Sequence, residues 1–87
     1  MWNIAFTQDA KRDLKRIGTG DQLRVSVAIS ERIAVRENPR TLGEALTGRF
    51  KGFWKYRVGD YRIIAKIEDE TITIYVIAIG HRSEVYR

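Results

Sequence analysis

Gly59-Asp60 stands between two stretches that alternate apolar and polar residues, and few short segments restrict a chain more tightly. Glycine at the first central position is what a two-residue primed turn requires, so the flanking stretches are expected to pair as a hairpin with Val58 facing Tyr61. Arg57 then lies directly opposite Arg62, with Lys55 two residues along on the same face and Lys66 further out. Like charges set opposite one another cost a sheet roughly some tenths of a kcal/mol or more. Folding alone gives no reason to keep them, whereas a bound polyanion does. The plain alternative is a solvated sheet face that happens to be basic.

The 87 residues suffice for one domain with a single core, so any function must share that core's surface. No segment has the apolar length needed to cross a bilayer. Met1-Trp2-Asn3 runs into an alternating Ile4, Phe6 pattern, and Asp9 and Lys11 arrive too early for a signal peptide, so a cytoplasmic protein is expected. With no cysteine and a single histidine, His81, disulfides, thiolate sites and a histidine-rich zinc centre are excluded, and no cofactor is implied. A net charge of +5 favours nucleic acid first, an acidic protein second and an anionic membrane last. The membrane is disfavoured because the basic residues are spread over several elements instead of one amphipathic anchor.

The pattern along the chain predicts an α+β fold: a short N-terminal strand, a two-helix hairpin, then an antiparallel three-stranded meander packed on the helices. The first strand is Asn3 to Thr7. Thr7 or Gln8 opens a helix to about Ile17, with Ala10, Leu14 and Ile17 as its buried stripe. Gly18-Thr19-Gly20 ends it, and Asp21 is a suitable N-cap for a second helix to about Asn38, with Leu23, Val27, Ile29, Ile33 and Ala34 available for burial; Pro39 blocks continuation. Arg40 to Gly52 has no clear period and reads as a connection with a helical turn around Glu44 to Leu46. The meander strands are Phe53 to Val58, Tyr61 to Glu68 and Thr71 to Ile79, the last two joined by Asp69-Glu70.

Side-chain parity then sorts the meander. Trp54, Tyr56, Val58, Tyr61, Ile63, Ala65, Ile67, Ile72, Ile74, Val76 and Ala78 form the core face. Lys55, Arg57, Arg62, Ile64, Lys66, Thr73, Tyr75, Ile77 and Ile79 form the other, a mixture of cations and apolar groups suited to phosphates and bases.

After the last strand the chain reads Gly80-His81-Arg82-Ser83-Glu84-Val85-Tyr86-Arg87. Gly80 can release the chain so that His81 and Arg82 reach the rim of the basic face. Cleaving a phosphodiester needs a base for the attacking oxygen, cations for the charge on the phosphoryl oxygens and an acid for the leaving oxygen. In RNA the neighbouring ribose hydroxyl can attack, so a metal-activated water is not required. Singly, each candidate has a plainer reading: Arg62 as a partner of Glu68 or Asp60, His81 as a turn residue, Tyr86 as packing. Lys11, Arg12, Lys15 and Arg16 read as a solvated helix face or as a phosphate-docking cluster, and Lys51 and Lys66 extend the basic surface.

The element order, with Tyr56-Arg57-Val58-Gly59-Asp60-Tyr61-Arg62-Ile63-Ile64 and the closing Ile79-Gly80-His81-Arg82-Ser83-Glu84-Val85-Tyr86, resembles the RelE/ParE superfamily of toxins from bacterial toxin-antitoxin pairs, over nearly the whole chain. RelE-like members are ribosome-dependent endonucleases that cut messenger RNA; ParE-like members poison DNA gyrase. By position, the resemblance implies that Lys55 and Arg57 are the paired basic residues of the first meander strand. Arg62 becomes a phosphate-stabilising arginine, Arg82 the proposed general acid and Tyr86 the residue that stacks on the message. Keeping this set favours the RelE branch. Arg57 departs from the best-known pattern, which has a lysine proposed as base there, and a guanidinium does not readily give up its proton. His81, Lys55 or a ribosomal group is left for that role, and Glu84 is disfavoured.

The resemblance also implies a neutralising antitoxin partner, with DNA met only indirectly through it, and the ribosome and mRNA as targets. Two rivals are a gyrase-binding toxin of the ParE kind and a non-catalytic RNA- or ribosome-binding module using the same face.

Overall fold

A computed structural model describes residues 1–81 of the chain. Arg82 and Tyr86, two of the expected site residues, lie outside the described residues. Strand β1 (Asn3–Phe6) leads to Thr7, whose hydroxyl accepts from the Ala10 N–H at 3.1 Å and caps helix α1 (Gln8–Arg16). Helix α2 (Thr19–Ala28) starts just after α1 ends and runs on as a π turn over Ile29–Ile33. Short 3₁₀ turns at Pro39–Leu42 and Gly48–Phe50 flank β2 (Glu44–Ala45), and β3 (Trp54–Val58), β4 (Tyr61–Glu68) and β5 (Thr73–His81) complete a five-stranded sheet in the order β1-β5-β4-β3-β2. Only β1 and β5 run parallel; the other neighbours are antiparallel.

This is the expected α+β architecture, with local corrections. Gly18, not Asp21, is the N-cap of α2; Asp21 sits in the first turn, where a carboxylate suits the helix dipole, and accepts from the Tyr61 hydroxyl at 3.0 Å. The α2 stripe that meets the sheet is Val25, Ala28, Ile29 and Ile33, which leaves Leu23 and Val27 exposed. Both stripes have helical spacing, so the helix pattern alone cannot choose between them, and packing does. The segment around Glu44 is a strand paired with β3, not a helical turn.

The β3–β4 register is the one the turn requires: Val58 opposes Tyr61 and Arg57 opposes Arg62, with Gly59 at φ +58°. The second hairpin differs. Glu68 pairs with Thr73 rather than Thr71, because residues 69–72 form a wider turn in which Ile72 takes φ +49° and donates to the Asp69 carbonyl at 3.1 Å. Arg40 anchors this turn through two hydrogen bonds to Asp69, at 2.6 and 3.1 Å, and thereby holds that carboxyl below the usual range. A slip of two residues preserves parity, so Ile74 and Val76 still face the core while Ile72 is exposed.

Parity is then inverted by a bulge. Ile64 pairs with Ala78 but Ala65 with Val76, which leaves Ile77 as an extra residue. Beyond it Ile79 is buried in the core and Ala78 faces the other way, the reverse of the expected assignment. The bulge lies where β1 has left the edge of β5, and α1 satisfies the exposed backbone there. Thr7 donates its hydroxyl to the Ile77 carbonyl at 3.1 Å, and the Ile79 N–H donates to Asp13 Oδ2 at 3.0 Å. Asp13→Ala leaves that N–H without its acceptor and is expected to cost about 1–3 kcal/mol in urea unfolding, with Asp13→Asn milder.

Tyr56, in the core on β3, donates its hydroxyl to the Pro39 carbonyl at 2.8 Å. Burial pushes the phenol up to about 12, against a smaller opposing pull from Arg40. The unfolded phenol loses its proton at about pH 10, so the contribution is complete below that pH and is lost as the pH rises through about 12. Stability is expected to fall by roughly 2 kcal/mol across that window. Denaturant titrations at about pH 9 and about pH 12 check this, with Tyr56→Phe removing the alkaline loss.

Candidate functional site

Helices cover one face of the sheet, so the cross-strand rows of the other decide what a ligand meets. One row there is Glu44, Lys55, Ile64 and Ala78 from β2 to β5; the next is Arg57, Arg62 and Gly80. Lys66 and Tyr75 pair in a row on the far side. The structure therefore brings Lys55, Arg57 and Arg62 together and places Lys66 on the same face. Neighbouring strands stand about 4.8 Å apart, so the two arginines issue from adjacent backbone positions.

Glu44 moderates this charge. Its carboxylate lies 3.5 Å from Lys55 Nζ and 3.7 Å from Arg57 Nε. The Lys55 side chain is only 12% exposed, its stem laid beside buried Ile64 and its ammonium reaching the sheet edge. Arg62 makes no ion pair among the described residues: Lys66, at 3.8 Å, is the partner of Glu68, and Asp60 is not joined to Arg62. Sequence reasoning missed Glu44, because a two-residue strand is too short to show a period, and its place directly after Gly43 was no signal by itself.

His81 is not brought to this face. It ends β5 in the row of Val58 and Tyr61, its ring edge-on to Tyr61 at 6.1 Å, and lines an open cleft of ≈ 620 Å³ with Asp13, Arg16 and Tyr61 on the helix side of the sheet. The bulge at Ile77 causes this, since it swaps the sides of every later residue of β5. The α1 cations are also on the helix side and partly matched: Arg12 pairs with Asp9 at 3.3 Å and Arg16 with Asp13 at 3.2 Å, while Lys11 and Lys15 have no ion pair among the described residues. Lys51 is exposed just after the second 3₁₀ turn. The basic residues thus form separate surfaces, with Lys55, Arg57, Arg62 and Lys66 on the outer sheet face.

A family model described as "ParE toxin of type II toxin-antitoxin system, parDE" matches residues 4–86. The toxin RelE of Mycobacterium tuberculosis is 32% identical over 88 residues, spanning 99% of this chain and 87% of that protein. This chain belongs to the RelE/ParE toxins of type II toxin-antitoxin systems. Toxin RelG of the same organism is 28% identical, spanning 99% of this chain and 97% of its own. The fold matches the toxin-antitoxin complex RelBE2 of M. tuberculosis with a TM-score of 0.85 at 25% identity, covering 95% of this chain and 93% of that one. Against the isolated E. coli RelE toxin the TM-score is 0.72 at 21% identity, covering 99% and 92% of the two chains, a likeness of fold. The curated relatives place this toxin on the RelE branch.

Opposed arginines on one sheet face should repel measurably in this RelE-type toxin. A double-mutant cycle with Arg57→Gln and Arg62→Gln is expected to return a repulsive coupling of roughly 0.2–1 kcal/mol in low salt, shrinking at about 0.5 M salt. Thermal unfolding of the four proteins at both ionic strengths measures it.

Proposed function

We propose that this toxin is a ribosome-dependent, metal-independent endoribonuclease that cuts messenger RNA and so stops translation. The observation that carries the proposal is the direct opposition of Arg57 and Arg62 on the sheet face away from the helices. Arg62, with Arg57, stabilises the charge gathering on the phosphoryl oxygens, and Lys55 neutralises and positions the backbone. Arg82 donates a proton to the leaving oxygen and Tyr86 stacks on a base, in line with the family pattern. The ribose 2′-hydroxyl attacks the adjacent phosphorus, leaving a cyclic phosphate on one product and a free hydroxyl on the other. His81, on the opposite side of the sheet, takes no part in the chemistry.

The cations of α1, with Lys51, hold the toxin against ribosomal RNA, so that it works in the cytoplasm. A cognate antitoxin neutralises it; relatives solved as toxin-antitoxin complexes support that partnership. The mixed basic and apolar face suits an acidic segment.

Primer extension on a defined message with programmed ribosomes tests the reading. Wild type is expected to cut within the decoding-site codon only when ribosomes are present, and Arg62→Ala or Arg82→Ala to lower the rate by about 10²–10³-fold while remaining folded. Failure of folded wild-type protein to cut overturns the RNase reading, and a gyrase supercoiling assay then decides for the ParE-like alternative.

A further inference from the structure

From Ala45 to Gly59 the chain carries four cations, Arg49, Lys51, Lys55 and Arg57, and no acid. Lys55 and Arg57 stand on the outer face of β3, while Arg49 and Lys51 lie in and just after the 3₁₀ turn at Gly48–Phe50 that leads into that strand. Phe50 comes between them. The guanidinium carbon of Arg49 sits 5.0 Å from the centre of the Phe50 ring, within the range at which an aromatic face attracts a cation. Resting on the RNase reading, we propose that Arg49 and Phe50 together form a stacking site for an unpaired RNA base.

The turn is held by its own backbone. The Phe50 N–H donates to the Thr47 carbonyl at 3.3 Å and the Lys51 N–H to the Gly48 carbonyl at 3.1 Å. The Phe53 N–H donates to the Phe50 carbonyl, and the Leu46 N–H to the Phe53 carbonyl, both at 3.0 Å. Gly48 at φ +66° and Gly52 at φ +95° bracket the segment in the left-handed region. Among the described residues no atom lies within 4 Å of where a β-carbon would stand on either glycine, so they serve the bend and not close packing. A segment fixed in this way loses little conformational freedom when a ligand arrives.

The aromatic residues nearby divide by what they touch. Tyr56 lies in the core and Trp54 packs against it, whereas Phe50 is half-buried and belongs to neither group. Recognition of a single strand combines a flat apolar surface for a base with cations for the backbone, and Phe50 between Arg49 and Lys51 offers both. The guanidinium plane is itself a surface on which bases stack. Five residues separate Phe50 from Lys55, at most about 18 Å of chain, so an RNA strand lying on Lys55 and Arg57 reaches the turn within a few nucleotides. An acidic peptide would meet the cations equally well, but a guanidinium stacked on a ring favours a flat ligand, and a base fits that requirement.

Two probes separate the sources of such a base. One is a single-stranded RNA of about eight nucleotides containing 2-aminopurine, whose fluorescence falls on stacking; the other is the small ribosomal subunit without message. The full-length toxin is titrated with each at about 0.1 M salt and above. Phe50→Leu keeps an apolar side chain and loses the ring, and is expected to weaken binding to at least one probe by about 5- to 100-fold. Arg49→Lys, which keeps the charge and loses the plane, weakens it in the same direction, and Phe50→Trp retains it. The salt dependence of Phe50→Leu stays that of the wild type, because no phosphate contact is lost, while that of Lys51→Gln becomes shallower. Loss confined to the RNA strand assigns the base to the message, and loss confined to the subunit assigns it to ribosomal RNA.

A folded Phe50→Leu that binds both probes within about threefold of the wild type overturns the stacking site, and the turn is then a packing element or a protein-docking edge. A wild type that binds neither probe overturns it as well. Cleavage on programmed ribosomes, run alongside, reports the RNase reading separately. A wild type that binds RNA through Phe50 but does not cut overturns only that reading, and a Phe50→Leu with wild-type affinity and wild-type cutting overturns only the stacking site.

Discussion

Central strand β4 buries Ile63, Ala65 and Ile67 on one face, and through alternation this single commitment dictates what the opposite face presents. Once Gly59 turns the chain at positive φ, Val58 must meet Tyr61 and Arg57 must meet Arg62. Moving the arginines apart would need a one-residue slip, and that slip would carry Tyr56 and Val58 out of the core. Hydrophobic burial therefore holds the repulsion in place, because it is much the stronger effect: burying one such side chain is worth about 1.5–3 kcal/mol, against tenths for the opposed charges.

The remaining structure manages the edges of this sheet. β1 covers β5 only as far as Val76, and α1 covers the next stretch with side chains, Thr7 on the Ile77 carbonyl and Asp13 on the Ile79 N–H. At the opposite edge β2 is two residues long, yet it brings Glu44 against Lys55 and Arg57. Among the described residues the basic face is a broad, partly neutralised surface, while the open cleft beside His81 lies behind the sheet. A surface of that kind suits the large ligand proposed for it, which carries its own geometry.

Much of this was legible in the residues. The order of elements, the first hairpin and its register, the Thr7 start of α1 and the grouping of Lys55, Arg57 and Arg62 all follow from short-range patterns: alternation, helical spacing and turn chemistry. The misplacements share a different origin. Leu23 and Val27 compete with Val25 and Ile29 for the same helix face, and local spacing favours neither. Asp69-Glu70 invites a two-residue turn, but contacts from Arg40 and β1 hold a wider one.

What the sequence determined alone is whatever is decided within a few residues of chain: the tight turn at Gly59, the alternation on either side of it and hence the opposed arginines. The tertiary structure decided what depends on partners far along the chain. The bulge at Ile77 exists where α1 can satisfy its backbone, 66 residues separating Asp13 from Ile79, and it sends His81 behind the sheet. The two-residue β2 exists because β3 offers it an edge, and it puts Glu44 among the cations. Neither leaves a period in the sequence, because backbone hydrogen bonds to a distant element do not depend on which side chains lie nearby.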